Sequence, residues 1–282
     1  MSLSNADLAV LVLIAGDADV IDGQPGVSSG GNPVMPPTGD PAISYLTAAH
    51  FEPLAQIRAN DLFAVDADNQ YYGLVCRCTA AVGALMPGDT LIAIRGTLSA
   101  MEWLNNLGAI FPVANPEGFG GSVGGGFLGV FDSMTLSDMS GKHIAGNFWA
   151  NLVGLAKGST RLFLVGHSLG AALAGLMAPR LQQALLGVPC ELIPAFFAQP
   201  NIGAFGFGEG FLKSVPAFHA VAFEADVVPQ VPGFPFERLK AGGPTQNVIA
   251  LPRGGPGAPP APELDFVTNH DPHTYSAMLL AT

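Results

Sequence analysis

The sequence predicts an α/β protein with a mostly parallel central sheet and helices on both faces. Three observations predict it. Short apolar strand-like segments alternate with helical ones across Leu162–Val165, Leu169–Leu186, Leu192–Ala198 and Phe218–Phe223. These strands lack polar alternation, as strands covered on both faces do. Nearly half of the 282 residues are hydrophobic (49%) and only 12% are charged, which is ample material for a large core. The length allows one large domain or two. The strand and helix signals on either side of the Pro/Gly-rich stretches continue one pattern, so residues 1–282 are read as a single domain.

Taken in order, Asn5 to about Asp19 is an apolar helix capped by Ser4 or Asn5. Asp22 to Pro41, rich in proline and glycine, cannot be regular structure. A second helix is expected within Ile43 to Ala59. "FAVDADNQYYGLVCRCTA" predicts a short strand, a polar turn at Asp66–Gln70 and a strand over Tyr71–Thr79, and "DTLIAIRG" is the next strand. The first half therefore opens with a hairpin that feeds the sheet. Cys76 and Cys78, at i and i+2, share one strand face, and with Cys190 they read as small buried hydrophobes rather than a disulfide framework. Towards the end, Pro252–Glu263 is a surface loop, and a last helix begins near Pro272 with Asp271 as its cap and proline in its first position.

Charge and hydropathy exclude several functions. With 22 acidic against 11 basic residues, the net charge of -11 argues against nucleic acid and against strong attachment to anionic membranes. The longest N-terminal apolar run, Leu8–Gly16, is far shorter than the roughly 20 residues of a membrane span. The first basic residue is Arg58, and Asp7 falls where a secretory leader would be apolar. The expectation is a protein retained in the cytoplasm, or a secreted one whose leader has been removed.

The chemistry centres on Gly166-His167-Ser168-Leu169-Gly170, a G-x-S-x-G sequence at the end of a strand and the start of a helix. That context makes Ser168 a nucleophile held out at the sheet edge, at a helix N-terminus that favours developing negative charge. A serine hydroxyl needs a histidine base and a carboxylate to orient that base. In this architecture both follow the serine, in the order acid then histidine. His219 begins a core strand and reads as structural, which leaves His270 and His273; His270 is preferred. Among carboxylates past the end of a strand, Asp226 is preferred to Glu224. An oxyanion needs two donors: the N–H of Leu169 is one, and the Gly96-Thr97 turn after an early strand supplies the other. A metal site at His270, Asp271 and His273 lacks the further ligands that a closed site needs.

These residues resemble the class 3 lipases, α/β-hydrolases that include fungal triacylglycerol lipases. "IAIRGTLSAMEWLNNL" looks like the oxyanion strand and lid helix, "LVGHSLGAALA" like the elbow, "FAQPNIG" like the next strand, "ADVVPQVP" like the acid loop and "NHDPHTY" like the histidine loop. The resemblance spans about Tyr72 to Leu280. It implies Thr97 and Leu169 at the oxyanion, Ser168 as nucleophile, Asp226 as acid and His270 as base. It also implies an acyl ester or lipid substrate, no metal or organic cofactor, and transient contact with lipid surfaces. A thioesterase or phospholipase on the same triad, or a non-catalytic binding protein, are the alternatives. The family commonly has histidine where this chain has Gly124, and glycine where it has Ala198. Over Ala100–Phe111, Trp103, Leu104, Leu107, Ile110 and Phe111 share one helical face, which fits either a lid or an ordinary packed helix.

Overall fold

A computed structural model describes residues 2–22, 33, 35–36, 39–40, 42–60, 69–96, 111–115, 120–259 and 266–282. Helix α1 (Asn5–Asp22) opens the chain and runs three residues beyond the expected end. Ser4 Oγ accepts the Asp7 N–H while the Asp7 carboxylate accepts the Ser4 N–H, a reciprocal cap. Strands β1 (Phe51–Ala59), β2 (Gln70–Cys78) and β3 (Thr90–Ile94) follow. Then come β4 (Pro112–Ala114), β5 (Ser122–Gly124), α2 (Gly125–Asp132), β6 (Thr135–Ser137) and α3 (Phe148–Leu155). The second half comprises β7 (Arg161–His167), α4 (Leu169–Ala184), β8 (Glu191–Phe197), β9 (Gly203–Ala204), α5 (Phe207–Ser214) and β10 (Phe218–Phe223). It closes with β11 (Phe236–Glu237), β12 (Gln246–Leu251), α6 (Phe266–His270) and α7 (Pro272–Ala281).

The main sheet has the order β12-β10-β8-β7-β3-β2-β1-β6. Its pairings are parallel from β12 through β3 and antiparallel from β3 through β6. A smaller sheet has the order β11-β9-β5-β4, with all its pairings antiparallel. Two apolar cores cover the two faces. One joins α1 and α7 to Leu91, Phe163, Ile193 and Phe197, and the other joins α2 to α5 to Ile92, Leu164 and Phe196. Cys76 and Cys78 are both buried in the first core, on the shared face that their spacing predicts.

The helix expected within residues 43–59 is corrected by the structure, because residues 51–59 form strand β1. Leu54, Ala55, Gln56 and Arg58 are good helix formers, yet Ala55, Ile57 and Ala59 alternate into one core while Gln56 and Arg58 face away. The two polar side chains satisfy each other: an Arg58 guanidinium N–H donates to Gln56 Oε1 at 2.6 Å, and Gln56 Nε2 reaches the Asp138 carbonyl at 2.8 Å. Pairing with β2 on one edge and β6 on the other overrides local propensity. The short strand expected before Asp66 lies outside the described residues, as does most of the following turn. Strand β12, parallel to β10, was not expected.

Candidate active site

Ser168 stands between the end of β7 and the start of α4 with φ 58° and ψ -129°. Its N–H donates to the Phe197 carbonyl at 3.0 Å, as a strand residue would, while its own carbonyl accepts from Ala171 and Ala172 at 3.0 and 3.2 Å, opening the helix. Serving both elements forces a left-handed backbone that costs a non-glycine residue about 1–3 kcal/mol. The flanking glycines make the turn possible. A Cβ on Gly166 would lie 2.3 Å from the Gly170 carbonyl oxygen, and one on Gly170 would lie 2.2 Å from that of Ile94.

His270 Nε2 lies 2.8 Å from Ser168 Oγ, and His270 Nδ1 lies 2.8 Å from Asp226 Oδ2. A carboxylate only accepts, so Nδ1 carries the proton and Nε2 presents its lone pair to the serine hydroxyl. Asp226 is fully buried at 0% exposure, and its charge is met by further donors. The Val228 N–H donates to Oδ1 at 3.0 Å, and the Tyr275 hydroxyl donates to Oδ2 at 2.7 Å. That hydroxyl accepts the Phe223 N–H at 3.0 Å, which locks it between strand end and carboxylate. Burial, and then the Asp226 charge, push the Tyr275 phenol well above its usual pKa, so it stays a neutral donor.

The structure thus brings Ser168, Asp226 and His270 into one hydrogen-bonded chain and leaves the two alternatives out of it. Glu224 accepts the Arg253 N–H at 3.2 Å in an exposed setting, and His273 is exposed on the first turn of α7. Asp271 caps that helix as expected, through the His273 N–H at 2.8 Å. His270 ends the short helix α6 rather than sitting in a loop. The Leu169 N–H, at the first position of α4, has no intrahelical acceptor. Thr97 and the stretch read as a lid lie outside the described residues, apart from Phe111, which is 62% exposed. His219 is buried in β10, 3.4 Å from the Asn247 amide, as a structural histidine. Among the described residues, no group of three or more His, Cys, Asp or Glu could hold a metal ion.

Other neighbours were not legible in the sequence. His167 packs its buried ring 4.6 Å from the His270 ring, while Phe266 stacks against His270 at 5.4 Å. His270 is thus in contact with two rings. Burial, and then the proximity of His270, lower the His167 pKa well below its usual value, so it is a neutral wall of the site. Gly124, where the family commonly has histidine, caps α2 and donates its N–H to the Ile202 carbonyl at 3.0 Å. Ala198 adopts φ 50°, a conformation that the family's usual glycine adopts without strain.

Known proteins share this arrangement of elements. The model of the class 3 lipase family matches residues 91–236, more than half of the chain. Phospholipase A1-II 4 of Oryza sativa subsp. japonica is 32% identical over 184 residues, covering 58% of this chain and 46% of that protein. Lipase ZK262.3 of Caenorhabditis elegans is 38% identical over 72 residues, covering 26% and 20%. The chain therefore spans less than half the length of these curated relatives. Among solved structures, Lip2 lipase from Yarrowia lipolytica aligns with a TM-score of 0.62 at 13% identity, covering 95% of this chain and 92% of that one. Rhizomucor miehei triacylglyceride lipase aligns with a TM-score of 0.58 at 20% identity, covering 82% and 76%. These likenesses give the α/β-hydrolase fold, and the family match, running from β3 through the elbow and the acid loop to β11, places the chain in the class 3 lipase family.

Proposed function

We propose that the protein is a serine carboxyl-ester hydrolase that cleaves lipid acyl esters through an acyl-enzyme. The observation that carries this reading is the buried hydrogen-bond chain Ser168–His270–Asp226 at a strand-to-helix turn. Ser168 Oγ attacks the ester carbonyl carbon as its proton passes to His270 Nε2, and Asp226 stabilises the imidazolium. The negative charge gathers on the carbonyl oxygen, where the N–H groups of Thr97 and Leu169 receive it. Collapse breaks the carbon–alkoxy bond, and the Nε2 proton leaves with the alcohol. Water, deprotonated by His270, then adds to the acyl-enzyme and frees the acid and Ser168. In the same reading residues 1–282 act as one domain, since both cores share one sheet and the triad draws on residues 168 to 270.

Several relatives are phospholipases A1, and the same triad would serve such a substrate. The arginines beside the motifs argue for a neutral ester instead. Arg95 is buried, bonded to the Tyr71 and Gly96 carbonyls, and Arg161 pairs with Asp89 at the far end of β7. The test is hydrolysis of p-nitrophenyl esters of short to long acyl chains by the wild type and Ser168→Ala. Turnover should fall at least about 10³-fold in the variant. Turnover that survives the substitution would overturn the proposal.

A further inference from the structure

The C-terminal third of α1 carries Asp17 and Asp19, with no basic residue in its last turn. Carboxylates there oppose the helix dipole, so tertiary contacts must offset their cost. Asp17, 4% exposed, accepts the N–H groups of Ser44, Tyr45 and Leu46 at 2.9, 2.7 and 2.8 Å and ties that segment down. Asp19 reaches the active site instead. Its Oδ1 accepts the N–H of Gly96. A Cβ on Gly96 would lie 3.2 Å from Asp19 Oδ2, 3.2 Å from the His167 carbonyl oxygen and 3.3 Å from Ser168 Cβ. Gly96 is thus packed between Asp19 and the nucleophile. One turn earlier on the same helix, Gly16 abuts Pro272, two residues after His270, where a Cβ would lie 2.8 Å from the proline ring.

The ladder on this edge of β3 ends at Arg95, whose N–H donates to the Tyr72 carbonyl at 3.0 Å. Gly96 carries the first amide beyond it, at a residue with full rotational freedom. Its two peptides hold one orientation only if both are bonded: Arg95 Nη1 donates to the Gly96 carbonyl at 3.0 Å, and the Gly96 N–H meets the Asp19 carboxylate, which forms about twice as strong a bond as a neutral acceptor. We propose that Asp19 is a positioning residue for the oxyanion site: by holding the N–H of Gly96, whose carbonyl Arg95 holds, it fixes Gly96 beside Ser168. Charge developing on the substrate oxygen then meets a donor that need not reorganise. Asp19 precedes the family-matched segment by more than seventy residues, so this part of the site is supplied by the N-terminal helix.

The inference rests on the ester-hydrolase reading, and the experiment separates the two. Asp19→Ala and Asp19→Asn are compared with the wild type in ester kinetics, inhibition by an alkylboronic acid, thermal midpoint and hydrogen exchange at the Gly96 amide. In Asp19→Ala, kcat should fall about tenfold or more with KM within about threefold, boronate affinity should fall with kcat, and Gly96 should lose protection. Asp19→Asn, whose amide oxygen still accepts, should recover kcat to within about threefold of wild type. Unchanged kcat and boronate affinity in folded Asp19→Ala would overturn the inference, as would losses that follow only the folded fraction with no rescue by asparagine. A wild type that neither turns over any ester nor reacts with a fluorophosphonate at Ser168 would sink the hydrolase reading. Gly96 exchange would then decide the Asp19 contact alone, and protection unchanged in Asp19→Ala would overturn it.

Discussion

Tyr275 helps to hold the buried Asp226 carboxylate in place beside His270. Its hydroxyl donates to Asp226 Oδ2 and accepts the Phe223 N–H, so Tyr275→Phe strips one donor from a buried carboxylate and leaves a strand-end amide unpaired. The expected cost is about 1–3 kcal/mol of stability, measurable by urea unfolding, with kcat falling up to about tenfold as Asp226 gains freedom to turn. The sign of any pH effect follows from the raised phenol pKa. Stability owed to the neutral hydroxyl is fully present below the ordinary tyrosine value near 10 and is lost only as pH climbs through the raised one. The difference between wild type and variant should therefore be constant from about pH 6 to 9, and a difference that changes in that window would refute this account. Ser168, Asp226 and His270 were legible because strand and helix context and chain order constrain them. The bonds of Tyr275 and the ring contact of His167 were not, since they depend on how α7 is rotated and where α6 ends. Ala198 shows why a mild departure survives: left-handed strain of about 1–2 kcal/mol is set against roughly 0.8 kcal/mol from burying its methyl group.

At the scale of elements, the joint between β7 and α4 is the most constrained. A Cβ on Gly170 would stand 2.2 Å from the Ile94 carbonyl oxygen and 2.6 Å from that of Arg95. Both neighbours are backbone at the end of the central strand β3, so neither can rotate away, and Gly170→Ala must lift α4 off the sheet. The expected loss is about 3 kcal/mol or more, together with activity, because Ser168 rides on the same turn. Thermal unfolding and soluble yield would measure it, and a variant of wild-type stability would refute the close approach. The sequence carried this joint plainly, as two glycines four apart between an apolar strand and an apolar helix. It misled at β1, where Leu54, Ala55, Gln56 and Arg58 favour helix locally and only pairing with strands at residues 70–78 and 135–137 decides otherwise. The smaller sheet was beyond reach for another reason: strands of two or three residues are too short to show a period.

For the whole molecule, the part that the sequence hid was the reach of the N-terminal helix. Its contacts to Gly96 and Pro272 join residues about 77 and 256 positions apart, and no local pattern announces such pairs. Net charge, by contrast, is legible at once, and its consequence for substrate encounter can be worked out. With 22 acidic and 11 basic residues, the molecule repels an anionic lipid surface over the Debye length, about 30 Å at 0.01 M salt and about 8 Å at 0.15 M. At the lower salt, hydrolysis of one acyl ester should be slower in anionic than in zwitterionic dispersions, because approach is opposed before any contact forms. Raising the salt should speed the anionic reaction and leave the zwitterionic one nearly unchanged, so that the two rates converge. A salt response of equal size in both dispersions would place the effect in the enzyme or the chemistry. Faster turnover on the anionic surface at low salt would mean that a local basic patch outweighs the net charge.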